Sequence, residues 1–222
     1  MRKTVLITGT SSGLGKTAAG HFAANDWNVV ATMRTPPAEP DAPPADNVLV
    51  ARLDVQDRDS IAAAIGAGVE RFGRIDALVN NAGFGLLGLF EATPPAKVRE
   101  QFDVNLFGLM DVTRAVLPHF RARGGGTVVN VGSGAGVFGL PMMSLYCASK
   151  FALEGFSEAL SYELASQNVA VKLVEPGGVV SNPVRPPQRC RGRGQRVAPG
   201  IRGVRGGNRG GLCRPARLAH GD

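Results

Sequence analysis

Short apolar runs rich in β-branched residues recur along the first 184 positions, separated by longer stretches whose apolar residues return every three or four places. The runs Val5–Thr8, Trp27–Thr32, Val48–Leu53, Ala77–Asn80, Thr127–Val131 and Val169–Val174 are read as strands. Most are continuously apolar, the pattern of parallel strands buried on both faces. Ile61, Ile65, Val69 and Phe72 mark one helical stripe; Val98, Phe102, Leu106, Leu109, Val112 and Val116 mark another. Thr93 before Pro94 predicts the start of the second helix, a capping hydroxyl preceding a residue that needs no amide hydrogen. Five prolines between Thr35 and Asn47 forbid a helix, so that crossover is expected to be an extended loop. The alternation predicts an α/β fold, a doubly wound parallel sheet with right-handed crossovers.

Composition narrows the setting. The 222 residues suffice for one domain with a real core. No stretch approaches the roughly 18 apolar residues of a membrane span. The apolar run after Met1-Arg2-Lys3 falls short of a leader's about 7 to 15. Three cysteines, Cys147, Cys190 and Cys213, are an odd number without metal-ligand spacing, so neither a disulfide framework nor a metal is expected. A cytoplasmic protein is the expectation. The net charge of +7 belongs to the end of the chain: residues 185–222 hold ten arginines, no lysine and one acid, Asp222. Residues 1–184 therefore carry 15 basic and 17 acidic groups, a net charge of −2. The chain divides into a domain over 1–184 and an irregular or disordered Arg/Gly-rich tail over 185–222.

Thr8-Gly9-Thr10-Ser11-Ser12-Gly13-Leu14-Gly15 follows the first strand and opens a helix. Glycines allow close backbone approach, and a helix N-terminus offers free N–H groups and a positive dipole end to phosphate. Three glycines among small hydroxyl residues favour a diphosphate site over an ordinary turn, although GxxxGxG departs from the general GxGxxG spacing. The second strand runs into Thr32-Met33-Arg34, without the acid that usually binds a ribose hydroxyl. The Arg34 guanidinium suits a 2′-phosphate, so NADP(H) is expected over NAD(H); a solvated strand-end arginine is the plainer alternative.

Tyr146-Cys147-Ala148-Ser149-Lys150 opens another helical pattern, with Tyr146 and Lys150 on one face. A free phenol titrates near pH 10, and a fixed ammonium lowers that value toward the working range of a base. With two tyrosines and five lysines, chance alone yields such a pair in roughly one chain in twenty. Ser133, at the end of the fifth strand, lies at the carboxyl edge where open α/β sheets bind ligands. His21 and His119 have no partners in sequence and read as surface groups; Cys147 reads as a small core thiol.

In order, the glycine segment, Asn80-Asn81-Ala82-Gly83, Asn105, Ser133, Tyr146-x-x-x-Lys150 and Pro176-Gly177 resemble the short-chain dehydrogenase/reductase family over about residues 3–181. The resemblance implies a Rossmann-type fold with Tyr146 as general acid/base and Ser133 orienting the substrate oxygen. It implies that Lys150 binds the nicotinamide ribose and lowers the tyrosine pKa, and that Asn105 holds a relay water. Cofactor contacts are implied for Gly9, Thr10, Ser11, Ser12, Gly13, Leu14, Gly15 and Arg34. Asp54 and Val55 would form the adenine pocket, and Asn81, Ala82 and Gly83 the cofactor-side turn. Pro176, Gly177 and Ser181 would lie along the cofactor, with Ser181 at the carboxamide. Thr32-Met33-Arg34 is similar to the NADP-preferring branch that includes steroid and retinol dehydrogenases. The family also implies a homodimer through the helices containing Asn105 and Tyr146.

The expected function is hydride transfer between NADP(H) and a small molecule, a secondary alcohol or ketone. Phe84, Leu86, Val137, Phe138, Leu140, Met142 and Met143, in the loops after the fourth and fifth strands, suggest an apolar pocket for it, though core packing explains about half of them as well. After Ser181 the resemblance stops. Residues 185–222 hold ten Arg, nine Gly, four Pro and three Ala, 26 of 38, all types favoured by G/C-rich codons. Six strands are therefore expected with the usual seventh missing, leaving Val169–Val174 as an open edge. The composition suggests a frame change near Asn182, which translating the gene's other frames would test. Two further readings remain open: a remnant that binds cofactor weakly without turnover, and RNA binding through the tail, which lacks the interleaved aromatics that stack bases.

Overall fold

The computed structural model describes residues 2–38 and 45–178, with the backbone of residues 188–189. Strands β1 (Thr4–Thr8), β2 (Asn28–Met33), β3 (Val48–Arg52), β4 (Ala77–Asn80), β6 (Gly126–Val131) and β7 (Val169–Val174) form the main sheet. All pairings are parallel, in the order β3-β2-β1-β4-β6-β7. The order reverses between β1 and β4, and the carboxyl ends of these two strands mark the switch point where such sheets bind ligands. The described residues between β2 and β3 contain no helix, in keeping with the proline-rich loop.

Helices α1 (Gly13–Ala24), α2 (Arg58–Phe72), α3 (Pro95–Phe102), α4 (Leu109–Ala122) and α5 (Ser144–Ala165) supply the crossovers. Asp57 starts α2 by accepting from the amides of Asp59 and Ser60, and Gly73, at φ 78°, ends it in the left-handed region. The Ser60 amide, and after it Arg52, holds the Asp57 carboxyl below the usual carboxylate range. The Thr93 cap is not formed. Its hydroxyl instead donates to the Leu89 carbonyl, 2.9 Å away, and α3 begins at Pro95 behind Pro94. The stripe from Val98 to Val116 is not one regular helix either. A π-helical segment, Asp103–Gly108, lies between α3 and α4.

Side chains of α2, α4 and α5 pack on one sheet face, where Ile61, Ile65, Val112, Val116 and Leu164 meet Leu6, Val30, Leu78 and Val128. Phe120 is completely buried there, and its ring leaves no room for a side chain at Gly126. Phe120→Ala is expected to cost about 3–5 kcal/mol, read from the urea midpoint.

The other face is covered differently. Among the described helices only α1 adds side chains to its cluster, through Ala18, Ala19, Phe22 and Ala23. In β7, Ala170, Lys172 and Val174 are exposed while Val169, Val171 and Leu173 turn inward. Lys172 interrupts the apolar run over β7, and the structure leaves that face of the strand exposed. The outer edge of β7 has no partner strand among the described residues. The proposed tail lies outside the described residues except for Gln188–Arg189, strand β8, whose backbone pairs with β5 (Leu86–Leu87). Side-chain periodicity gives no sign of a pairing this short.

Candidate active site

Asn81, directly after β4, ties the glycine turn to the switch point. Its side-chain nitrogen donates to the carbonyls of Thr8 and Gly9 at 2.9 and 3.0 Å. The Thr8 hydroxyl accepts from the amides of Asn81 and Ala82, both at 3.0 Å. Thr10 anchors the turn to β2, its amide and hydroxyl both donating to the Thr32 carbonyl. Gly9 and Gly13 take φ values of 72° and 56°, which disfavour other residues. Gly15 is demanded by space: a Cβ there would lie 2.3 Å from the Gly9 carbonyl oxygen. Helix α1 opens with Ser12 making no side-chain cap and with no acid in its first turn. Its orphan N–H groups and positive dipole end therefore fit the diphosphate of a dinucleotide.

Arg34 stands exposed just past β2, and no ion pair engages it among the described residues. Asp54 lies two residues past β3, where one carboxylate oxygen accepts from the Gln56 amide. Val55 is turned into the core against Gly108. A Cβ on Gly83 would lie 3.1 Å from the Asn105 side-chain oxygen. The Pro176 carbonyl accepts from the Gly134 amide, joining Pro176-Gly177 to the Ser133 turn. Ser181 lies outside the described residues.

The chemical groups gather at the same edge. Ser133, past β6, accepts from the Ala135 amide at 3.1 Å, which leaves its hydroxyl hydrogen for another acceptor. Tyr146 and Lys150 share a face of α5. The Lys150 Nζ donates to the Val131 carbonyl at 2.7 Å and lies 5.9 Å from the centre of the Tyr146 ring. Burial pushes the Lys150 amine down from 10.5 to about 8, and Glu154 pulls it the other way. The Tyr146 hydroxyl bonds directly to neither Ser133 nor Lys150.

The π-helical segment presents Asn105 to the loop after β4. Its side chain clamps Phe84, accepting from the amide and donating to the carbonyl, both at 3.0 Å. A longer contact at 3.4 Å reaches Ser149. The Asn105 side chain is thus engaged with protein through both its oxygen and its nitrogen. Gln101, which sequence reasoning missed, donates to the same Phe84 carbonyl. A glutamine between Val98 and Phe102, one turn before Asn105, is the signal the sequence offers, and the structure buries it completely.

Of the apolar candidates, Leu86 belongs to the core, whereas Val137, Phe138 and Leu140 are exposed. His21 is exposed, His119 half-buried, and Cys147 buried, as expected of a core thiol. A groove of about 560 Å³ lies at the opposite edge, lined by Lys3, Trp27, Arg74, Gly125 and Asn168, and includes none of the candidate residues.

A glycine turn at the switch point of a doubly wound parallel sheet defines a dinucleotide-binding class of fold. Residues 3–189 match the family model for short chain dehydrogenase, and the chain belongs to the short-chain dehydrogenase/reductase family. Human retinol dehydrogenase 8 is 40% identical over 188 residues, covering 81% of this chain and 60% of the relative. The structure of ElxO with NADP bound is 32% identical at a TM-score of 0.77, covering 82% of this chain and 76% of that one. The 3-ketoacyl-(acyl-carrier-protein) reductase from Brucella melitensis, complexed with NADH, is 30% identical at 0.75, covering 81% and 77%. The chain spans about three fifths of the length of the curated relatives it matches. No described helix is long and apolar enough to cross a membrane.

Proposed function

We propose that the chain is an NADP(H)-dependent oxidoreductase that interconverts an apolar secondary alcohol and its ketone. The observation carrying this reading is the convergence of the glycine turn, Ser133, Tyr146 and Lys150 on one edge of the sheet. A bound nicotinamide would supply or accept the hydride. The N-terminus of α1 would hold the diphosphate, and the Arg34 fork would hold a 2′-phosphate. Lys150, kept beside the Tyr146 ring by the Val131 carbonyl, would favour the phenolate. In reduction Tyr146 would give its proton to the substrate oxygen, and in oxidation take it back, while Ser133 donates a hydrogen bond to that oxygen. Asn105 would hold a relay water and, through Phe84, would fix the loop on the cofactor side.

The exposed Val137, Phe138 and Leu140 support an apolar substrate, as does the relationship to retinol dehydrogenase 8. Exposed Phe107 and Phe151, on the segments that carry Asn105 and Tyr146, support pairing of two copies there.

The test is fluorescence titration of the purified chain with NADPH and NADH. Arg34→Ala is expected to weaken NADPH binding about tenfold to a hundredfold, the scale of a lost charged hydrogen bond, and to leave NADH unchanged. Equal affinity of the parent chain for both would remove the NADP assignment.

A further inference from the structure

We propose that Glu154 is a positioning residue that keeps Lys150 in its ammonium form from a slot between α5 and the Ser133 turn. The proposal rests on the roles proposed for Tyr146 and Lys150.

Tyr146, Lys150 and Glu154 follow one another at four-residue intervals, so the carboxylate continues the face that carries the other two. Its Oε1 is buried and meets no hydrogen-bond donor. Two glycines flanking Ser133 make its slot. A Cβ at Gly132 would lie 2.9 Å from Oε1, and one at Gly136 would lie 2.8 Å from it. Neither glycine has a positive φ, so backbone conformation does not require either of them. Gly136 also approaches the Lys150 carbonyl, at 3.1 Å from the same Cβ position. A carboxylate normally finds a donor when buried, and here it is seated against small residues one turn of α5 from a buried lysine.

Lys150 needs such a neighbour. It is 7% exposed, and its one hydrogen bond goes to a backbone carbonyl, which carries only a partial charge. An ammonium buried without a full opposite charge tends to release its proton. Tyr146 flanks it on α5, with Glu158 a turn beyond Glu154. Burial, and after it Glu175 just past β7, pushes the Glu154 carboxyl up while Lys150 holds it down, and Lys172 sits on the exposed face of β7. The Ser133 turn offers no titratable group. Glu154 is the charge that opposes the loss of the Lys150 proton.

The experiment follows the ε-carbons of the five lysines by NMR across pH without cofactor, with Lys150→Arg assigning the signal. The Lys150 amine should titrate at about 8 in the parent chain. Glu154→Gln should lower that midpoint by about one pH unit, the scale of a nearby opposite charge. Gly136→Ala, which wedges the carboxyl out of its slot, should move it in the same direction. The alkaline limb of kcat should follow, with KM for the substrate unchanged. An unmoved midpoint in folded Glu154→Gln overturns the proposal; if that variant does not fold, an unmoved midpoint in Gly136→Ala does so. A shifted amine without turnover supports this proposal and counts against the oxidoreductase reading. Turnover with an unmoved amine does the reverse.

Discussion

Tyr146→Phe is expected to lower turnover by about a thousandfold, within the range of a lost general acid/base, while NADPH affinity stays within about twofold. The hydroxyl it removes bonds to neither Ser133 nor Lys150, so its loss should leave the fold and the Lys150–Val131 contact in place. Steady-state rates at saturating NADPH and the fluorescence titration separate the two effects. A variant retaining a tenth of the parent rate would remove Tyr146 from the reaction. The parent's pH dependence offers a second check. The folded chain releases the Lys150 proton at about 8, and the amine's ordinary value is 10.5. Between those values the unfolded chain holds more protons, so stability should rise with pH while turnover falls. Turnover and stability falling together would show unfolding as the cause.

The second large effect falls on the glycine turn. Gly15→Ala places a Cβ 2.3 Å from the Gly9 carbonyl oxygen and 2.4 Å from the Asn81 side-chain nitrogen. Neither can yield cheaply, because Asn81 itself holds the Thr8 and Gly9 carbonyls. A loss of about 1–3 kcal/mol in urea unfolding is expected, the cost of overpacking a tight site. NADPH binding should weaken at least about tenfold as the turn opens, since hydrogen bonds to charged groups are lost there. Gly20→Ala is the control: nothing lies within 4 Å of its Cβ position, and helix propensity should make it more stable by about 0.5–1 kcal/mol. Equal behaviour of the two variants would show that the close approach at Gly15 has no consequence.

The close approach at Gly15 also adds a demand that local spacing does not show. From the sequence, Gly9, Gly13 and Gly15 read alike as backbone left bare for phosphate. In the folded chain Gly15 serves the contact between Asn81 and the turn, a partner 66 positions away that no local spacing reveals. Gln101 and Glu154 were passed over for a related reason. What each does depends on a partner from another element, the Phe84 carbonyl for Gln101 and the glycines beside Ser133 for Glu154.

What the sequence determined by itself is the strand–helix order, the six-stranded parallel sheet, and the family whose chemical groups stand at its carboxyl edge. Those features follow from periodicity and short spacings, which act over a few neighbouring residues. Tertiary structure alone decided the open second face of β7, the π-helical turn that aims Asn105 at Phe84, and the slot that seats Glu154. Each depends on what another part of the chain places opposite, because burial and hydrogen bonding are properties of pairs brought together by folding.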